Sequence, residues 1–378
     1  MRIGVDYRPA LGAPTGIGRF VREIVTSLSA LPDGPDLVLY AALFRRFRER
    51  TDELPEPSTR IEPCVRRFPG RLLDIASRCL PVSAESFTGD VDLFHITDYT
   101  HPPVRSDRVL FTIHDLSFEA GPEWYTQRML DHLKRRVAHM LERPGASILT
   151  VSESSRRDIC EHSGLPEDRV HVASLGVDPH EFRHRGEDRV NETLARLGIE
   201  TPYFLFVGTI QPRKNLDGVI RALEIARSRG IRERLVVSGS PGWHCDATLD
   251  ELRRLEAGGA AHRLGYAADA DLPDLYAGAT ALVFPSHHEG FGLPVVEAMS
   301  VGTPVLTSTT PALREVGGDA VLAVESRDDE ALAEAMIELA QDGDLQAELS
   351  RRGRARAERF RWEGTAKAVL DAYRRSVA

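Results

Sequence analysis

The chain has little lysine: Lys134, Lys214 and Lys367 are three among 48 basic residues, so 45 are arginines. Cysteine is also scarce. Cys64, Cys79, Cys160 and Cys245 lie 15, 81 and 85 positions apart, which matches neither a zinc knuckle nor a redox pair and suits a reduced, cytoplasmic chain. No run reaches the roughly 18 apolar residues of a membrane span. The opening MRIGVDYRP passes straight into an alternating strand, so no signal peptide is expected. An excess of positive charge is missing too. Basic and acidic residues number 26 against 29 in residues 1–190 and 22 against 28 in the remainder, so neither half is a nucleic-acid platform and no nucleic-acid partner is expected.

What is present is an ordinary globular chain of 378 residues, 42% hydrophobic and 28% charged. That length exceeds what one core usually serves and favours two domains of roughly 150 to 200 residues. Short apolar runs alternate with helical stretches: RIGVDY then RFVREIVTSLSAL, VDLFHIT, VLFTIHD, and SILTVS then ESSRRDICEHS. This rhythm predicts βα units on a mostly parallel sheet. It restarts after the polar stretch Pro179 to Arg189 with YFLFVGT, RLVVSGS, ALVFPS and PVLTS, which places a junction between residues 185 and 190. From about Asp328 the pattern reads as helix, with Leu332, Ala335, Met336 and Leu339, then Val369, Leu370 and Tyr373, recurring at three and four. The expected fold class is α/β, two Rossmann-like halves with a ligand crevice between them. Arg45 to Arg50 and Arg66 to Arg78 are locally basic and read as solvated faces or as membrane patches.

Four segments can carry chemistry. In APTGIGRFVREIV, Gly16 and Gly18 sit between the first strand and a helix, where backbone N–H groups and the helix dipole suit a phosphate or developing oxyanion; a plain βα turn would use glycine too. Phe20 and Val21 follow Arg19, so no G-x-G-x-x-G supports a dehydrogenase. In YFLFVGTIQPRKNL, Arg213 and Lys214 follow a strand, suiting a diphosphate or an ordinary basic surface, and Asn215 can cap the next helix. In ALVFPSHHEGFGLPVVEAM, Gly290, Phe291 and Gly292 make a turn, Pro294 fits the first position of the helix that follows, and Glu289 and Glu297 lie eight residues apart around it. Carboxylates accept from sugar hydroxyls while turn amides suit phosphate, so a sugar nucleotide would satisfy both; separately, the acids read as a loop residue and a first-turn residue. His114, with Asp115 beside it, ends a strand, as a ligand-facing or a structural hydrogen-bonder. His287 and His288 lack an H-E-x-x-H context, and the Asp269-Ala270-Asp271 triplet precedes a short helix, where capping explains it better than a metal.

Glu289 to Glu297 resembles the E-x7-E motif of retaining GT-B glycosyltransferases, specifically the large family four with its many bacterial mannosyltransferases. TGIGRF, TIHD, LTVSESS, LGVD, VGTIQPRKNL, SGSPGW and RFRWEGTAKAVLDAY extend the resemblance over nearly the whole chain. It implies an N-terminal acceptor-side domain over residues 1–185, completed by helix 363–378, and a donor-binding domain over residues 190–362. It further implies that Gly16 and Gly18 face the donor diphosphate or sugar, that His114 approaches the sugar, and that Arg213 and Lys214 neutralise the diphosphate. Glu289 with the amides of Gly290, Phe291, Gly292 and Leu293 would hold sugar and phosphate, Glu297 the ribose, and Tyr266 would line the base pocket. Many members carry arginine where this chain has Thr209, which gives Arg213 the diphosphate contact. The resemblance implies transfer of a hexose, mannose from GDP-mannose, to a glycan or lipid-linked acceptor, with no metal or other cofactor. It also allows peripheral contact with the inner face of the cytoplasmic membrane. A nucleotide-sugar epimerase, a phosphorylase and a noncatalytic nucleotide-sugar binder are the alternatives.

Overall fold

The computed structural model describes residues 1–11, 15–43, 54–67, 80 and 82–377. The basic stretch 45–50, most of 66–78, and Cys79 lie outside the described residues. The chain packs as two units: Met1–Leu116 with Asp131–Leu175 and Trp362–Ala378, and Ser117–Leu130 with Gly176–Arg361. The polar stretch around Pro179 to Arg189 thus belongs to the second unit, where buried Phe182 packs 6.3 Å from the ring of Tyr276.

The first unit holds β1 (Arg2–Asp6), β2 (Asp36–Leu43), β3 (Ile61–Arg67), β4 (Leu93–Ile96), β5 (Val109–Thr112), β6 (Ser147–Thr150) and β7 (Val170–Val172). They form one sheet in the order β3-β2-β1-β4-β5-β6-β7, with every neighbour parallel. Helix Gly16–Ala30 covers part of it. Thr15 caps this helix, its hydroxyl accepting from the Gly18 amide at 3.0 Å. Phe20, Val21, Ile24, Val25 and Leu28 recur on one face and are all buried. Leu31, which precedes Pro32, turns extended and ends it. Helix Trp362–Val377 packs against helix Gly16–Ala30 and buries Val369, Leu370 and Tyr373 in the first unit.

In the second unit β8 (Tyr203–Val207), β9 (Arg234–Ser238), β10 (Ala261–Gly265), β11 (Ala281–Phe284), β12 (Val305–Ser308) and β13 (Leu322–Val324) follow the order β10-β9-β8-β11-β12-β13, again all parallel. Phe204, Phe206, Leu235, Val237, Val283 and Leu306 from this sheet meet Val219, Leu223, Leu332 and Met336 from helices Leu216–Ser228 and Asp329–Gln341 in one buried cluster. Fully burying each such side chain contributes about 1.5 to 3 kcal/mol. In both sheets the strand order reverses at one place, between β1 and β4 and between β8 and β11. Loops leaving the carboxyl ends of those strands are where doubly wound sheets bind ligands.

Candidate functional site

Two loops at the reversal of the second sheet supply the charged groups. The loop after β8 ends in a single turn, Pro212–Lys214, and the loop after β11 runs from Pro285 to the helix Leu293–Val301. They are stitched together: the His287 amide donates to the Arg213 carbonyl at 2.9 Å, and Arg213 donates back to the His288 carbonyl at 2.6 Å. Asn215 adds a third tie. Its side-chain amide donates to the carbonyls of Pro285 at 3.2 Å and Ser326 at 2.6 Å. Asn215 was expected to cap helix Leu216–Ser228, but its side chain makes no cap bond; its left-handed backbone, φ 57°, and the two carbonyls direct the amide across the loops.

Arg213, Lys214 and Glu289 meet in this construction. One carboxylate oxygen of Glu289 accepts from Lys214 Nζ at 2.5 Å and the other lies 3.0 Å from an Arg213 guanidinium nitrogen, with all three side chains largely covered. The Lys214 ammonium also stands 4.8 Å from the centre of the Phe284 ring. Burial works to raise the Glu289 carboxyl, but Arg213 and Lys214 outweigh it and hold the group below its ordinary value. The carboxylate is therefore ionised, and the triad carries a net charge of plus one. Both oxygens of Glu289, expected for sugar hydroxyls, are held by the cations expected for the diphosphate.

The turn that follows is built for a close approach. Gly292 adopts φ 104°, and a Cβ there would fall 2.4 Å from Leu313, so only glycine fits. No side chain caps the helix it precedes, and Pro294 brings no N–H to its first turn. Phe291 is buried edge-on against Phe360 at 5.6 Å, and Gly290 is buried while Leu293 is half-buried. Glu297 lies inside the helix, almost fully buried, and accepts from the Tyr276 hydroxyl at 2.7 Å. Thr209 is exposed. Tyr266 is 47% exposed, its hydroxyl donating to Asp269 at 2.6 Å. Asp271 occupies the cap position of helix Leu272–Ala277 without capping it, because its carboxylate pairs with Arg196 at 2.6 Å. The Asp269–Asp271 triplet is thus committed within the protein, and among the described residues no group of three or more His, Cys, Asp or Glu could hold a metal ion.

In the first unit, Gly16 and Gly18 separate in role. A Cβ at Gly18 would sit 2.6 Å from the Pro9 carbonyl oxygen, and its amide already serves Thr15, so this glycine is needed for packing. A Cβ at Gly16 would meet nothing within 4 Å among the described residues, so packing against them does not demand glycine there. His114 follows β5. Its Nε2 donates to the Thr97 carbonyl at 3.2 Å, its ring meets Phe20 edge-on at 5.2 Å, and burial lowers its proton affinity. The ring is therefore neutral, with Nδ1 left as an acceptor. Asn215 as a loop tie and Ser326 as a partner of both loops were not foreseen, and no local pattern signals either.

Residues 192–356 match the family described as glycosyl transferases group 1, and residues 14–181 match glycosyltransferase family 4. The chain is 31% identical to the O-antigen chain mannosyltransferase B of Escherichia coli, over 99% of this chain and 100% of that one. It is 33% identical to the D-inositol 3-phosphate glycosyltransferase of Acidothermus cellulolyticus, over 61% of this chain and 53% of that one. Among solved structures, sucrose-phosphate synthase from Thermosynechococcus elongatus is similar with a TM-score of 0.76 at 19% identity, covering 99% of this chain and 98% of that one. Anabaena HepE in complex with UDP-glucose is similar with a TM-score of 0.73 at 16% identity, covering 98% of each chain. WaaG, a glycosyltransferase of lipopolysaccharide biosynthesis, gives 0.72 at 15%, covering 98% of this chain and 99% of that one. These likenesses place the two parallel-sheet Rossmann-like units in the GT-B fold class.

Proposed function

Because the chain belongs to the group 1, family 4 glycosyltransferases, we propose that it moves mannose from GDP-mannose to a glycan or lipid-linked acceptor, with retention of anomeric configuration and without a metal ion. The observation that carries this reading is the buried triad of Arg213, Lys214 and Glu289, a preformed surplus of positive charge beside the uncapped start of helix Leu293–Val301. Mannose as the sugar, and a growing cell-surface polysaccharide as the acceptor, are supported by the likeness to the mannosyltransferase over the full length of both chains.

In this mechanism the donor diphosphate takes Arg213 and Lys214 as partners, and Glu289 is released to accept from a sugar hydroxyl. The bond between the anomeric carbon and the phosphate oxygen breaks while the acceptor oxygen bonds to the same carbon. The acceptor's proton passes to the departing diphosphate. Negative charge grows on that leaving group, and two cations stabilise it, Arg213 tied to the neighbouring loop and Lys214 standing over the Phe284 ring. Neutral His114 accepts a sugar hydroxyl at Nδ1, Gly16 admits the donor, Glu297 holds the ribose, and Tyr266 lines the base. Peripheral contact with the inner face of the cytoplasmic membrane accompanies a lipid-linked acceptor; no helix among the described residues is long and apolar enough to cross a membrane.

A thermal-shift panel of GDP-, UDP- and dTDP-sugars tests the donor. A ligand at 100 times its dissociation constant adds about 2.7 kcal/mol to folded stability, so GDP-mannose should give the largest shift. A larger shift with another sugar nucleotide refutes the donor assignment, and NMR of the product's anomeric proton checks retention.

A further inference from the structure

Ser117–Leu130 lies in sequence between segments of the first unit, yet it packs as part of the second. Its anchor is Trp124, 8% exposed, whose ring stacks on the His287 ring at 5.8 Å with 15° between planes. The segment is fixed again where Trp243 Nε1 donates to the Trp124 carbonyl at 2.6 Å and the Tyr125 and Trp243 rings lie 5.7 Å apart. Trp243 belongs to the loop after β9. That loop is bound to the one after β8, with Ile210 donating to Ser240 at 3.0 Å and Gly242 donating to Ile210 at 2.9 Å. The segment therefore grips both neighbours of the charged triad. His287 is its point of leverage: two residues before Glu289, it donates its amide to Arg213, and its Nδ1 is 2.9 Å from the Ser326 hydroxyl. Burial lowers the proton affinity of this imidazole, which disfavours a third cation beside the triad.

Resting on the functional reading above, we propose that Trp124 is a positioning residue of the donor site: by stacking on His287 it holds the 285–289 loop, and through it Arg213 and Glu289, in register for the diphosphate. An aromatic face is required, not just volume. Removing the stack frees the imidazole and lets the carboxylate and guanidinium drift, while Lys214 and the sheet beneath stay in place.

Calorimetric titration of GDP and UDP, with steady-state kinetics and melting temperatures, tests this on wild type, Trp124→Phe, Trp124→Leu and Trp124→Ala. Loss of one aromatic pair predicts nucleotide binding weakened about 3- to 10-fold in the leucine and alanine variants, with kcat lowered by a similar factor, and recovery to within about twofold in the phenylalanine variant. His287→Ala should produce the same loss and add nothing to Trp124→Leu. A lower melting temperature in Trp124→Leu with unchanged nucleotide affinity overturns the proposal, as does full additivity with His287→Ala. Lys214→Ala in the same titrations separates the two readings. If Lys214→Ala binds nucleotide normally, the functional reading fails; if Lys214→Ala binds weakly while Trp124→Leu binds normally, only the role of Trp124 fails.

Discussion

Buried histidines in the first unit and the buried carboxylate of the second are handled in opposite ways. In the first unit burial favours the neutral form. It pushes His95 down to about 3 and His101 down to about 4, lowers His114, and pushes even the Asp98 carboxyl up to about 6. The histidines have hydrogen bonds in place of a counter-ion, such as His95 between Tyr373 and Thr112 at 2.8 Å on both sides. In the second unit Glu289 is as deeply placed but ionised, because Arg213 and Lys214 overcome its burial. The contrast is one of compensation: a buried group with only neutral hydrogen-bond partners settles in its uncharged form, and one with two cations in contact keeps its charge.

The hardest blow to this contrast is Lys214→Ala. It should lower kcat by about 10² to 10³, the scale of losing one preorganised transition-state donor, and weaken nucleotide diphosphate binding. Wild-type kcat in a folded Lys214→Ala protein would remove the charge argument. Glu289→Gln should have the next largest effect, slowing the sugar-dependent step by about tenfold or more. Because it also frees two cations, nucleotide diphosphate binding should stay within a few-fold of wild type or tighten, which calorimetry reads directly.

The neutral histidines of the first unit have a pH signature. Below pH 6.5 the unfolded chain protonates His95 and the folded chain does not, so stability falls as pH drops from about 6.5 toward about 3. Between pH 7 and pH 5 that residue should account for about 2 kcal/mol of the loss. Urea denaturation of His95→Asn should therefore show a shallower decline over that window; an unchanged slope would sink the assignment. The smallest effect belongs to the acidic triplet. Asp271→Asn breaks a pair with the exposed Arg196 and should cost under about 1 kcal/mol. Turnover should persist in chelator; loss that manganese restores would return Asp269 and Asp271 to metal binding.

Much of the fold was legible because parallel strands covered on both faces read as unbroken apolar runs, as in YFLFV and ALVF. That Arg213, Lys214 and Glu289 lie in the loops leaving those strands was legible for a related reason, since the loops begin where the apolar runs stop. What they do to one another was not. No periodicity in RKNL and HHEG announces that Glu289 pairs with both cations, or that Asn215 turns left-handed to bind two carbonyls. The placement of Ser117–Leu130 with the second unit was equally hidden, since it depends on Trp124 meeting His287 from 163 positions away, a meeting of segments that share no pattern. Gly18 looked like a ligand glycine because its two demands, a packed carbonyl and a bound phosphate, call for the same residue.

The hydrogen bond between Tyr373 and His95 spans 278 positions and has a consequence for how the protein is made. A ribosome emits β1 through β7 long before helix Trp362–Val377, so during synthesis the first sheet waits with a histidine missing one of its two partners and with the surface of helix Gly16–Ala30 that this last helix covers still bare. The second unit's segments, apart from Ser117–Leu130, are all supplied in one continuous stretch and can close first. The order of manufacture and the order of completion are therefore reversed: the half begun first is the half finished last.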